Sequence, residues 1–103
     1  MRGAVLCLFP LDQLAEDGRV EPAAVDPGIA FSLAINVDEP EQVDETIEAV
    51  RAAGGRVTKD PVDAEWGGRT AYFADPEDNY WEVAWVPPES LVAGAIRRAL
   101  GDE

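Results

Sequence analysis

The chain has no histidine, one cysteine and one methionine, and each scarcity removes a kind of chemistry. Without histidine there is no side chain that ordinarily titrates near neutrality and no imidazole to offer a metal. Cys7 alone cannot close an internal disulfide, which agrees with a reducing compartment. Within the apolar run Val5-Leu6-Cys7-Leu8-Phe9 it reads as a small hydrophobe, because no basic neighbour would draw its thiol toward the thiolate. Positive charge is also scarce, with 8 Lys and Arg against 21 Asp and Glu and a net charge of −13. Such a field repels phosphate backbones and anionic lipid surfaces, so nucleic-acid and membrane-surface roles are not expected. No apolar run approaches the roughly 20 residues of a spanning helix. The opening run stops at Pro10 and Asp12, short of a signal-peptide core, and a cytoplasmic protein is expected.

What is present is enough for one packed domain. The chain of 103 residues is 47% hydrophobic and includes three Trp, three Phe and two Tyr, a size and composition suited to a single small core. Residues 4–9 read as an apolar strand closed by Pro10. Leu11–Ala15 fit a helical turn, and Asp17 to Gly28, broken by Gly18, Pro22 and Pro27, reads as a surface loop. From Ile29 the pattern alternates, with Ile29, Phe31, Leu33, Ile35 and Val37 on one face and Ala30, Ser32, Ala34 and Asn36 on the other. Asp38 is placed as a helix N-cap with Glu41 three residues on, and Val43, Ile47 and Val50 recur at helical spacing up to Gly54-Gly55.

A short strand, Arg56–Lys59, ends at Asp60-Pro61, and a loop carrying Trp66-Gly67-Gly68 leads to a strand at Arg69–Ala74. Asp75-Pro76-Glu77-Asp78 suits a type I turn, with Asn79 the candidate for a left-handed conformation. The returning strand Tyr80–Val86 alternates Trp81, Val83 and Trp85 against Tyr80, Glu82 and Ala84. Pro87-Pro88 ends it, and a C-terminal helix follows Ser90 to Leu100. The expected fold is α+β, a mixed sheet with helices on one face and Trp81 and Trp85 in the core beneath them.

Three features in combination carry a family resemblance: a strand running into Val37-Asp38 before a helix, Ala53-Gly54-Gly55 at the helix end, and Gly67-Gly68-Arg69 through Asp75-Pro76 to Trp81-Glu82-Val83-Ala84. Phe31 to Trp85 resembles the second βαβββ module of the glyoxalase/bleomycin-resistance/extradiol-dioxygenase superfamily, as in lactoylglutathione-lyase-like proteins. The resemblance implies a cupped mixed sheet, with residues 29–86 as the module, residues 1–10 as a strand from an abbreviated first module and residues 89–100 as an added helix. Full-length members carry two modules around one cavity. Either a shortened chain completes that cavity by homodimerisation, which is favoured, or Met1 is a late start within a longer gene.

Metal-dependent relatives bind a divalent ion with two residues per module. The resemblance places Ser32 at the usual His position, Glu82 at the Glu position and Cys7 at the acidic position of the first module. Only Glu82 is a hard ligand, so neither metal nor cofactor is expected. Ser32, Asn36, Tyr72, Tyr80 and Glu82 share one face, and Trp66 sits in a glycine-flanked loop; together they form the candidate ligand-binding set. Glu82 is the sole candidate for catalysis, as a base, against a bland reading as a polar residue on a wet face. Trp66 reads equally as a ligand cover or as packing on the sheet edge. The double glycines lack phosphate-loop spacing, and the acids from Asp38 to Glu48 read as a solvated helix face.

The leading expectation is therefore a metal-free small-molecule binder acting as a homodimer. The bleomycin-resistance branch implies capture of a hydrophobic or cationic compound. The alternatives are a lactoylglutathione-lyase-like or dioxygenase-related enzyme and a protein-interaction or regulatory module, because one fold hosts many functions.

Overall fold

The alternation that begins near Ile29 and the helical spacing that follows Asp38 resolve into one sheet and the helix that covers it. The structure, a computed structural model, describes residues 6–22, 30–99 and 101. In chain order the elements are α1 (Leu11–Gly18), β1 (Ser32–Val37), α2 (Glu41–Ala52), β2 (Arg56–Asp63), β3 (Arg69–Ala74), β4 (Tyr80–Trp85) and α3 (Leu91–Ala99). The sheet order is β1-β4-β3-β2, with β1 parallel to β4 and the other neighbours antiparallel. This is the α+β fold expected, with β1 through β4 and α2 in βαβββ order.

Register decides which residues meet. Ile35 pairs with Val83, Val83 with Ala71, and Phe73 with Trp81, all on one face. There α2 lays Val43 and Ile47 against Ala71 and Val83, flanked by Val37, Val57, Phe73 and Trp85. Each fully buried aliphatic side chain contributes about 1.5–3 kcal/mol. Trp81 and Trp85 belong to this face, as their parity requires, but they are half-buried at its margin and not in the core; Trp81 stacks on Phe73 with ring centroids 6.2 Å apart. Arg69 ties β3 to the first turn of α2 with two hydrogen bonds of 2.8 Å, one to each carboxylate oxygen of Asp44. That bidentate contact holds the Asp44 carboxyl below its ordinary range.

Several local expectations change. Asp38 does not cap α2 with its side chain, because the helix begins at Glu41 after Pro40 has already turned helical. Instead Gln42 reaches back and its Oε1 accepts from the Asp38 and Glu39 amides at 2.9 and 2.8 Å, the reciprocal half of a capping box. The helix end is as read, with Gly54 at φ 84°. β2 does not stop at Lys59 but runs to Asp63 through Pro61. As the sheet edge opposite β1 it tolerates a missing amide, and it absorbs Pro61 through register shifts. In the β3–β4 turn the left-handed residue is Asp78, at φ 64°, not Asn79. Asp75 organises that turn by accepting from the Glu77 and Asn79 amides at 2.9 Å each.

Two differences bear on the site. Leu6–Pro10 form no strand, and Leu6 and Leu8 are 87% and 89% exposed; their backbone finds no neighbouring strand to pair with among the described residues. Ala4, Val5, residues 23–29 of the expected loop and strand start, and Leu100 lie outside the described residues. The turn expected at Leu11–Ala15 is a full helix to Gly18, closed by Arg19 in the left-handed region at φ 58°. Moreover, α1 does not join α2 on one face. It packs Ala15 with Leu14 and Val20 against Tyr72, Ala74 and Tyr80, whose register places them opposite Ala71, Phe73 and Val83. The sheet therefore carries helices on both faces, and α1 covers part of the face that the pattern leaves open.

Candidate functional site

The face under α1 gathers charge where a core would normally exclude it. Tyr72 on β3 pairs in register with Glu82 on β4 and with Lys59 on β2, so three polar side chains line up across neighbouring strands. Lys59 is 5% exposed and Tyr72 2% exposed. From above, α1 lowers Asp17 onto them: Tyr72 Oη donates to Asp17 Oδ2 at 2.7 Å, and Lys59 Nζ donates to Asp17 Oδ1 at 3.3 Å. The Lys59 ammonium also lies 5.2 Å from the centre of the Tyr72 ring, where the ring quadrupole attracts it.

Glu82 completes the group without joining its hydrogen bonds among the described residues. Burial, and secondarily the nearby charge of Asp17, push its carboxyl up to about 7, against the opposing pull of Lys59. At neutral pH it therefore divides between acid and carboxylate and is able to donate or accept a proton. Tyr72 is pushed far above its ordinary range, first by burial and then by the charge of Glu82, so it remains a phenol and a hydrogen-bond donor. Beside this group an open cleft of about 560 Å³ is lined by Phe9, Gln13, Glu16, Asp17, Arg19 and Lys59.

The residues singled out in the sequence are only partly brought together. Ser32, Tyr72, Tyr80 and Glu82 share the face, and the Ser32 hydroxyl lies by that of Tyr72. Tyr80 packs in the apolar cluster beside Ala15, with the Arg56 guanidinium 6.0 Å from its ring centre. Asn36 has the same parity but is exposed, paired with Ala84 two positions beyond Glu82 along β4. Trp66 stands apart: its ring lies over Gly68, where an added Cβ would run into both the indole and the Trp85 carbonyl. It packs beyond the end of the sheet, past the Arg69–Trp85 pair.

Asp17 and Lys59 are the site residues that the sequence pattern does not disclose. Asp17 falls just before Gly18 and reads as loop until α1 is seen to extend there. Simple alternation puts Lys59 on the face of Val57, but the register shift between them turns it opposite Tyr72. The one cue available is the pair Asp60-Pro61, which marks β2 as irregular.

The donor set does not fit the divalent-metal site that the family's metal-dependent members carry. Cys7 is exposed, and Ser32 is a poor ligand. Among the described residues no three His, Cys, Asp or Glu side chains gather to hold an ion. Asp17 and Glu82 already face a cation, the ammonium of Lys59.

A βαβββ module with an acidic residue on its last strand defines a class before any relative is considered. The family model described as "Glyoxalase/Bleomycin resistance protein/Dioxygenase superfamily" matches residues 11–83, and the chain belongs to that superfamily. It is similar to a glyoxalase-related enzyme from Fulvimarina pelagi, with 34% identity over 75% of this chain and 54% of that one and a TM-score of 0.55. A glyoxalase/bleomycin resistance protein/dioxygenase family enzyme from Burkholderia phytofirmans PsJN is 31% identical over 75% of this chain and 56% of that one, with a TM-score of 0.55. The fosfomycin resistance protein FosX from Listeria monocytogenes is 27% identical over 59% of this chain and 50% of that one, with a TM-score of 0.50. The chain thus spans about half the length of these structures. No curated protein matches it. Among the described residues, no helix is long and apolar enough to cross a membrane.

Proposed function

We propose that the chain binds a small organic molecule on the face opposite α2, through side-chain hydrogen bonds in place of a metal, in a cavity that a second copy completes. The observation that carries this reading is the buried pair Lys59 and Tyr72, both bonded to the exposed Asp17 and with Glu82 beside them, opening onto the cleft at Phe9 and Gln13. Buried donors and a carboxyl near its titration point, next to an accessible recess, are the features of a ligand site. The second copy is motivated by β1, an edge strand whose Leu33 and Ile35, on the α2 face, are 43% and 38% exposed; a copy paired along this edge would also flank the opposite face, where the ligand sits. Resistance-type capture is the favoured role, in line with the likeness to a fosfomycin resistance protein.

Light scattering across a concentration series, together with amide-shift titrations of small acids, amines and neutral aromatics, tests this reading. Self-association and saturable shifts around Tyr72 and Glu82 are expected. A monomer at every concentration, or no saturable shift from any class, would overturn the corresponding half. The elevated Glu82 pKa favours a second reading, proton transfer in a glyoxalase-type lyase; turnover that Glu82→Gln abolishes would establish it.

A further inference from the structure

The polar group under α1 holds an occupant of its own. Asp17 presents one carboxylate oxygen to the Tyr72 hydroxyl and the other to the Lys59 ammonium, at 2.7 and 3.3 Å. Two buried donors, one for each oxygen and one of them cationic, are what carboxylate recognition requires. The donors are held by the sheet, since Lys59 and Tyr72 are register partners on adjacent strands. The acceptor is not. Asp17 belongs to the last turn of an eight-residue helix whose buried residues are Ala15 and Gly18, and its own side chain is 43% exposed. Isolated helices of that length are marginal in water, so α1 owes its place to these few contacts.

We propose that Lys59 and Tyr72 form a binding site for the carboxylate of a small organic acid, and that Asp17 is the internal stand-in which such a ligand displaces. The inference rests on the small-molecule reading above and gives that ligand a chemical class. The cationic ligand implied by the family resemblance fits less well, because the place for a cation over the Tyr72 ring is taken by the tethered Lys59 ammonium. A ligand acid entering from the cleft that Lys59 lines places its carboxylate where that of Asp17 lies. An anion in the place of Asp17 also restores the negative charge that helps to keep Glu82 protonated.

Chemical rescue is the direct test. The full chain carrying Asp17→Ala is melted at pH 6 in sodium acetate and in sodium chloride of equal ionic strength. Acetate is expected to raise the midpoint saturably, by roughly 5–10 °C at tenfold excess over its dissociation constant. The double variant Asp17→Ala/Lys59→Met is expected to lose that rise. A rise no larger than that in chloride, or an equal rise with methylammonium chloride, would overturn the proposal.

Should Asp17→Ala fail to fold, hydrogen exchange of the unaltered protein decides. Benzoate is expected to speed exchange of the α1 amides while β3 stays protected, and unchanged α1 exchange up to the solubility limit would refute displacement. Rescue by acetate in a protein that never self-associates would leave the carboxylate site standing and remove the two-copy cavity. Self-association without rescue would do the reverse.

Discussion

Glu82→Gln is the substitution whose effect follows most directly from the site. The Glu82 carboxyl titrates near 7 in the folded chain against 4.5 as its ordinary value, so the folded state holds this proton more tightly than the unfolded one. From about pH 4.5 to 7 the unfolded chain has lost the proton while the folded chain keeps it, and stability therefore falls as pH rises through this window. At about 1.36 kcal/mol per pKa unit, the separation of the two values corresponds to an order of 3 kcal/mol, present below pH 4.5 and lost above pH 7. Glutamine has nearly the same shape and carries no charge. The variant should match the unaltered protein near pH 4.5 and exceed it by up to about 3 kcal/mol near pH 8, the upper limit applying if the site does not relax around the ionised group. Urea unfolding at intervals from pH 4.5 to 8.5 measures the difference between the two proteins, in which the general repulsion of a chain of net charge −13 largely cancels. A difference that stays flat, or that favours the unaltered protein at high pH, would refute a half-buried, partner-poor Glu82.

The remaining predictions use the same scale. Ile47→Ala empties a position 1% exposed beneath α2 and should cost about 2–5 kcal/mol in urea unfolding. Arg69→Lys keeps the charge but loses the bidentate grip on Asp44; both groups are partly exposed, so a loss of about 1 kcal/mol is expected, larger than that of Arg56→Lys, whose partner Asp78 is exposed. Ile35→Glu alters an exposed site on β1 and should leave the melting midpoint within a few degrees while reducing self-association in light scattering, because like charges would then face each other across the paired edges.

The fold was legible because its alternation was regular wherever packing demanded it. Val83, Ala71 and Ile47 fall on one face by simple counting, and the Gly54-Gly55 helix end needs only the left-handed φ that glycine admits. The arrangement of the candidate site is legible in half. Tyr72 and Glu82 share parity on regular strands, so counting places them on one face, and Ser32 with them. Lys59 was hidden by a register shift that no local pattern announces, since one extra residue reverses the side of the sheet that a side chain faces. Asp17 was hidden because Gly18 reads as a breaker, whereas here it is the buried last residue of α1, and the left-handed turn falls on Arg19. The expectation of helices on one face failed for a related reason: a segment of eight residues carries too little periodic signal to show which face it seeks.

Seen together, Lys59, Asp17 and Glu82 explain how a superfamily module devoid of histidine accommodates an acidic residue on its last strand. A carboxylate that loses part of its water on that face needs a compensating proton or cation. In this chain Glu82 meets the requirement with a proton, as its elevated pKa records, while Asp17 meets it with the Lys59 ammonium. The two solutions are coupled, since the charge of Asp17 is one of the causes that keep Glu82 protonated. Lifting Asp17 away removes that repulsion and leaves Lys59 as the nearest countercharge, so Asp17→Asn should lower the Glu82 pKa toward its ordinary value. Carbon-13 shifts of the Glu82 carboxyl followed across pH would show the move, and an unchanged titration midpoint in Asp17→Asn would mean that burial alone sets the protonation of Glu82.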